Sequence, residues 1–143
     1  MGAVANPDLR IGHDIKHVER VRRNALTIAR AEGFADLDLV EAAALLHDIG
    51  LAHGETRERH GQVGAEIAAR FLREQHLFAE DEIAAIAKAI HNHSLIHGDW
   101  DILGYILRDA DILDALGAAG LMRAFTSKYF KPEYDPECVK GET

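Results

Sequence analysis

The sequence predicts an all-α protein, a single-domain bundle of five to six helices with a metal site in its core. Three observations carry this expectation. Apolar residues recur at helical spacing along most of the chain, and no segment alternates as a strand would. Alanine is abundant while aromatics make up only 6% of residues, a composition suited to close-packed helices. Finally, His17, His47, Asp48 and Asp111 sit in apolar sequence on three different helices. Burying such groups is costly unless they are paired, hydrogen-bonded or bound to a metal.

The helices follow in order. The first runs from about Gly12 to Glu32, with Val18, Val21, Ala25, Ile28 and Ala29 on one face, and Gly33 stops it. The second runs from about Leu37 to Ile49; Asp36 or Asp38 can cap it and Gly50 ends it. The stretch "LAHGETRER" reads as a polar loop. A third helix starts near His60 and carries Val63, Ile67, Ala68 and Phe71 on one face. A fourth, from about Ala79 to His93, places Ile83, Ile86, Ala87 and Ile90 at helical spacing. "SLIHGDW" is a loop. A fifth helix covers about Asp101 to Leu116, and a short sixth about Ala118 to Tyr129. The chain reads as one domain, residues 1–143, with its core over about 12–129 and a loosely attached tail over 130–143.

The bulk composition narrows the function classes. A chain of 143 residues with 48% hydrophobic content can bury a core without disulfides. The formal net charge of −8 speaks against binding a nucleic acid polymer. The single cysteine, Cys138, cannot form an intrachain disulfide and points to a reducing, cytoplasmic compartment. "MGAVANPDLR" has no apolar run of the signal-peptide kind, and Asn6 does not meet the myristoylation pattern. No apolar run approaches the length of a membrane span, so no membrane association is expected.

The nine histidines are the unusual feature, and their placement gives them meaning. In "AALLHDIG" the His47–Asp48 pair closes an apolar helix. In "HDIKHVERV" His17 lies at the edge of the apolar stripe. Arg20 follows on the same side, and Asp14 is placed to orient the His17 ring. In "RDADILDALG" Asp109, Asp111 and Asp114 interrupt an apolar helix, and Asp111 is flanked by Ala110, Ile112 and Leu113. Two imidazoles and two carboxylates suit a divalent cation of the Mn, Fe, Co, Ni, Zn or Mg type. The partner of His47 and Asp48 is therefore expected to be a metal held between helices.

Taken together, "HVERV", "LLHDIG", "HGQVGAEIA", "AIHNHS" and "RDADILDALG" resemble the HD-domain superfamily of metal-dependent phosphohydrolases, over roughly residues 12–126. The segment "DADILDALGAAGLMRAF" is most similar to small stand-alone bacterial and archaeal HD hydrolases. "HGQVGA" also resembles relatives that split dinucleoside tetraphosphates. The resemblance implies His17, His47, Asp48 and Asp111 as ligands of one metal. It further implies His60 and His93 as ligands of a second, bridged by Asp48, or else as phosphate contacts. On the fourth helix, His91 and His93 fall on opposite edges of the apolar stripe, and His93 is favoured. One or two metals per chain are thus expected.

The activity so implied is phosphohydrolysis, with a metal-activated water attacking a phosphate ester or anhydride of a nucleotide or related small molecule. Asp48 would orient the water, and Arg20 would hold phosphate or brace the Asp48 carboxylate. Arg57, Arg59, Lys88 and Trp100 are further substrate-binding candidates, Trp100 as a stacking surface or as an apolar plug. The general acid stays open between His53 and Glu55. Two other classes share the ligand pattern: an HD-type di-iron oxygenase and a non-catalytic metal-binding signalling module. Leu121, Met122 and Phe125 form an apolar stripe available to a homodimer or to the bundle itself.

Overall fold

The computed structural model describes residues 15–118 and 120–122. Within them the chain forms α1 (Ile15–Ala31), α2 (Leu37–Leu46), α3 (Ile49–Ala52), α4 (His60–Gln75), α5 (Glu80–Asn92) and α6 (Ile102–Asp114). No strand occurs among the described residues. The all-α expectation therefore holds, but the count of six is reached differently. The expected second helix does not continue to Ile49: it ends at Leu46, and the apolar residues after His47–Asp48 wind into the separate turn α3. Helical periodicity cannot reveal this break, because Ile49 and Leu51 continue an apolar pattern across it. The sixth helix expected over 118–129 lies outside the described residues from 123 onward, as does the tail.

The core is built from small and branched side chains. In α1 the buried positions are His17, Val21, Ala25 and Ala29, spaced four apart so that all lie along one line. Val40, Ala43 and Ala44 of α2, Ala65, Ala68 and Leu72 of α4, Ile83, Ile86, Ala89 and Ile90 of α5, and Ile106, Leu107 and Ala110 of α6 complete it. Alanine at so many contacts lets the helix axes approach closely. Helix α4 packs on α5 and α3, and α1 packs between α6 and α2.

Helix ends are specified locally. Gly33, at φ +70°, ends α1, and the Phe34 amide donates back to the Ala29 carbonyl at 2.9 Å, closing the turn as a glycine in the left-handed region permits. Asp36 precedes α2 but makes no capping hydrogen bond with its side chain, whereas Asp38 lies in the first turn, where a negative charge is favourable. Asp101 caps α6 by accepting from the Gly104 amide at 2.9 Å. The residues that matter next all lie at such ends: His17 begins α1, His47–Asp48 ends α2, His60 begins α4, His93 follows α5, and Asp111 and Asp114 close α6.

A candidate dinuclear metal centre

Two glycines set how closely these ends meet. A Cβ on Gly50 would stand 2.3 Å from the His60 carbonyl oxygen, so only glycine lets the start of α4 press against the turn after the HD pair. A Cβ on Gly61 would stand 2.8 Å from the His91 carbonyl oxygen, so the same helix end also meets α5 directly. His60 is thereby wedged between the His47–Asp48 turn and His93.

The ring nitrogens converge. His17 Nε2 and His47 Nε2 are 3.2 Å apart. Asp48 Oδ2 lies 3.4 Å from the first and 3.3 Å from the second. Asp111 Oδ1 lies 3.3 Å from His17 Nε2 and 3.9 Å from His47 Nε2. On the other side of the same carboxylate, Asp48 Oδ1 lies 3.6 Å from His60 Nε2 and 3.8 Å from His93 Nε2. Those two nitrogens are 3.2 Å apart. Two groups of donors therefore share Asp48, one oxygen each.

Hydrogen bonds fix which nitrogen each ring presents. His47 Nδ1 donates to the Ala44 carbonyl at 2.7 Å. His60 Nδ1 donates to the Arg57 carbonyl and His93 Nδ1 to the Ile90 carbonyl, both at 2.6 Å. A carbonyl only accepts, so each of these Nδ1 atoms carries a proton, and Nε2 is the atom each ring turns inward, as a lone pair whenever it is not itself protonated. His17 Nδ1 donates instead to a carboxylate, Asp114 Oδ2, at 2.7 Å. Four lone pairs and two carboxylates facing one another repel unless something positive lies among them.

A divalent cation fits that requirement. Nitrogen and oxygen donors about 2.1 Å from a first-row metal stand roughly 3.0–3.4 Å apart at neighbouring corners of its coordination shell. The separations within the two groups run from 3.2 Å to 3.9 Å, close to that spacing. The field of the site points the same way. Burial lowers the pKa of His47, but the adjacent Asp48 carboxylate and then Asp111 and the Ala44 carbonyl outweigh it and raise it to about 9. The pocket demands positive charge strongly enough to hold a proton where a cation fits. His17 and His47 are fully buried, while the Asp111 side chain is 29% exposed and marks the edge open to solvent.

The remaining sequence candidates separate. His17 is not at the edge of the apolar stripe but fully buried at its head. Asp14 lies outside the described residues; the carboxylate seen to hold the His17 ring is Asp114. Arg20 is engaged with a different carboxylate, its Nε and Nη2 gripping Asp114 Oδ1 and Oδ2 at 2.5 Å and 3.0 Å. Two pairs, each one turn long on its own helix, thus face each other, His17 with Arg20 and Asp111 with Asp114. His91 is exposed and His93 buried, placing His93 in the cluster. Lys88 is committed to Asp99 and Asp101 at 3.0 Å and 3.8 Å. Trp100 is half-buried: its Nε1 donates to the Asn92 carbonyl at 3.0 Å, and the Arg108 guanidinium covers its ring at 4.6 Å. Arg57 and Arg59 are exposed in the turn before His60, His53 is exposed at the end of α3, and Glu55 is half-buried.

The family profile of the HD domain matches residues 14–116. The chain belongs to the HD-domain family. Among similar proteins, the uncharacterized protein YpgQ of Bacillus subtilis (strain 168) is 35% identical over 125 residues, covering 80% of this chain and 56% of that one. A crystal structure of a predicted HD superfamily hydrolase from an uncultured Thermotogales bacterium superposes with a TM-score of 0.67 at 41% identity, over 79% of this chain and 63% of that one. The crystal structure of a Lactobacillus plantarum protein superposes with a TM-score of 0.70 at 31% identity, over 92% and 63% respectively. This HD domain thus spans between half and two thirds of the length of these relatives. No helix among its described residues is long and apolar enough to cross a membrane.

Proposed function

We propose that this HD domain is a metal-dependent phosphohydrolase acting on a phosphate ester or anhydride of a nucleotide or related small molecule in the cytoplasm. The observation that carries the reading is the pair of donor groups sharing Asp48, one carboxylate oxygen to each. His17, His47, Asp48 and Asp111 would hold one cation, and Asp48, His60 and His93 a second. Four imidazoles favour Mn, Fe, Co, Ni or Zn over Mg. Bound there, the metals supply Lewis acidity toward a phosphate oxygen and toward the attacking water.

The protein's own residues prepare the site. The Ala44, Arg57 and Ile90 carbonyls hold the three rings His47, His60 and His93 in the tautomer that presents Nε2. Five of the six residues are buried and the Asp111 side chain is 29% exposed, so Asp111 marks the expected side of substrate entry. Arg57 and Arg59, exposed beside His60, are the cations placed to meet substrate phosphate. Lys88 and Trp100 are engaged within the α5–α6 connection.

The test is a panel of nucleoside mono-, di- and triphosphates and dinucleoside polyphosphates, incubated with Mn, Fe, Co, Ni, Zn or Mg, with phosphate and pyrophosphate release followed. Metal-dependent release from at least one compound, lost in Asp48→Asn, is the expected outcome. No release with any metal, accompanied by oxygen consumption in the iron-loaded protein, would favour the di-iron oxygenase that the same ligand set also suits.

A further inference from the structure

Three of the four clustered histidines are oriented by backbone carbonyls, and His17 alone by a carboxylate. That carboxylate is only 5% exposed and lies at the far end of the fold's sequence, 97 residues away from His17. Asp114 Oδ2 receives both the His17 Nδ1 proton and the Arg20 Nη2 proton, while Oδ1 receives Arg20 Nε. The guanidinium fork thus pins both oxygens, and the imidazole reads the position of one of them. Every element of this chain is directional. An Arg clamp sets the carboxylate plane, the carboxylate sets the His17 tautomer and ring angle, and the ring sets where Nε2 faces Asp48 and Asp111.

We infer that Arg20 and Asp114 are positioning residues for the metal group formed by His17, His47, Asp48 and Asp111, with Arg20 acting through Asp114 rather than on substrate phosphate. This inference rests on the proposed metal centre. It assigns the two groups unequal control: on the His60–His93 side both Nδ1 atoms donate to backbone carbonyls, so that side does not depend on the pair. An arginine on the active-site helix of an acidic protein would otherwise be read as a phosphate ligand, but its Nε and one Nη2 donor are spent on both oxygens of Asp114, and its side chain is only 31% exposed.

The chemistry makes Asp114→Asn diagnostic. An amide offers one acceptor where the carboxylate offers two. If its oxygen meets Arg20 Nε, its NH2 faces His17 Nδ1, and the ring must present a lone pair there and carry its proton on Nε2, withdrawing that lone pair from the metal side. If it turns over, its NH2 faces Arg20 Nε and the fork is broken. Arg20→Lys keeps the charge but cannot grip both oxygens.

The experiment titrates Mn(II) into wild type, Asp114→Asn, Arg20→Lys, Arg20→Ala and the Arg20→Ala/Asp114→Asn double variant, reading free Mn(II) by electron paramagnetic resonance. Circular dichroism and thermal melts verify folding. The expected result is a 10- to 100-fold loss of affinity for one of two ions in Asp114→Asn. The other ion is retained, the loss in Arg20→Lys is smaller, and the double variant is no weaker than Asp114→Asn alone. Unchanged affinity for both ions in a folded Asp114→Asn overturns the assignment of Asp114. Fully additive losses in the double variant, or a changed KM in Arg20→Ala with metal affinity intact, overturn the action of Arg20 through Asp114. A second readout separates this inference from the metal reading beneath it. In metal-free protein the His17 Nδ1 proton, bonded to Asp114, should resonate far downfield in the proton spectrum and lose that position in Asp114→Asn. Wild type that binds no Mn(II) sinks the metal centre, and its His17 signal then decides the Asp114 assignment by itself.

Discussion

Gly50→Ala is the substitution whose effect the geometry specifies most sharply. The added Cβ would stand 2.3 Å from the His60 carbonyl oxygen, 2.9 Å from its Cα and 3.0 Å from its carbonyl carbon, all backbone atoms that cannot rotate away. Restoring ordinary contact needs the start of α4 to retreat by about 1 Å, since close-packed interiors offer no void to absorb the overlap. His60 Nε2 is 3.6 Å from Asp48 Oδ1, and that retreat carries it beyond about 4.2 Å, the widest span two donors can have across a shared first-row ion. His17 and Asp111 lie on α1 and α6, and the His47 ring is held by the Ala44 carbonyl, so that group keeps its donors. The variant should therefore fold with a loss of about 1–3 kcal/mol, the usual cost of overpacking. It should bind one metal where wild type binds two. Metal content by plasma mass spectrometry and urea unfolding measure the two quantities. A Gly50→Ala protein that keeps two tightly held metals would refute the claim that this glycine sets the position of His60.

Other consequences concern charge and ligands. In the metal-free protein the folded pKa of His47, about 9, stands above the ordinary imidazole value, so folding takes up a proton. That contribution, on the order of 3 kcal/mol, is present below about pH 6.5 and is lost as pH rises through about 9; urea unfolding in chelator at pH 6.5 and pH 9 should show the decline. The same proton competes with metal, so metal affinity should climb over that window, as isothermal titration at several pH values would record. His93→Ala should remove one of two metals and exposed His91→Ala neither, with equal metal content in the two variants counting against the placement of His93. Chelation should lower Tm reversibly, because a ligand at about 100 times its Kd stabilises the folded state by about 2.7 kcal/mol; a Tm indifferent to chelator would mean that no metal is bound in the folded protein.

The clustered residues were legible because each is an expensive group in an apolar setting. His47–Asp48 closing "AALL" and Asp111 between Ala110 and Ile112 could not be explained locally. His17 was legible for the same reason, although its place in the stripe only emerges once Val21, Ala25 and Ala29 are seen to line up below it. The choice of His93 over His91 followed from helical phase. Four features were not legible. The bend at His47–Asp48 leaves the apolar pattern unbroken. The target of Arg20 lies 94 residues away, and spacing along one helix carries no information about a contact with another. The setting of Trp100 depends on Arg108 crossing its ring, a tertiary event between a loop and α6. The tightness of the α3–α4 contact was likewise hidden: "DIGLAHG" shows a glycine but not the backbone it must admit.

The central claim is that Asp48 joins two cation sites, and metal content after purification and reloading with Mn(II) tests it most directly. Wild type should carry two metals per chain, His60→Ala one, and Asp48→Ala none held tightly, with folding verified for each. Wild type without metal, or an Asp48→Ala protein that retains both ions, would contradict the account.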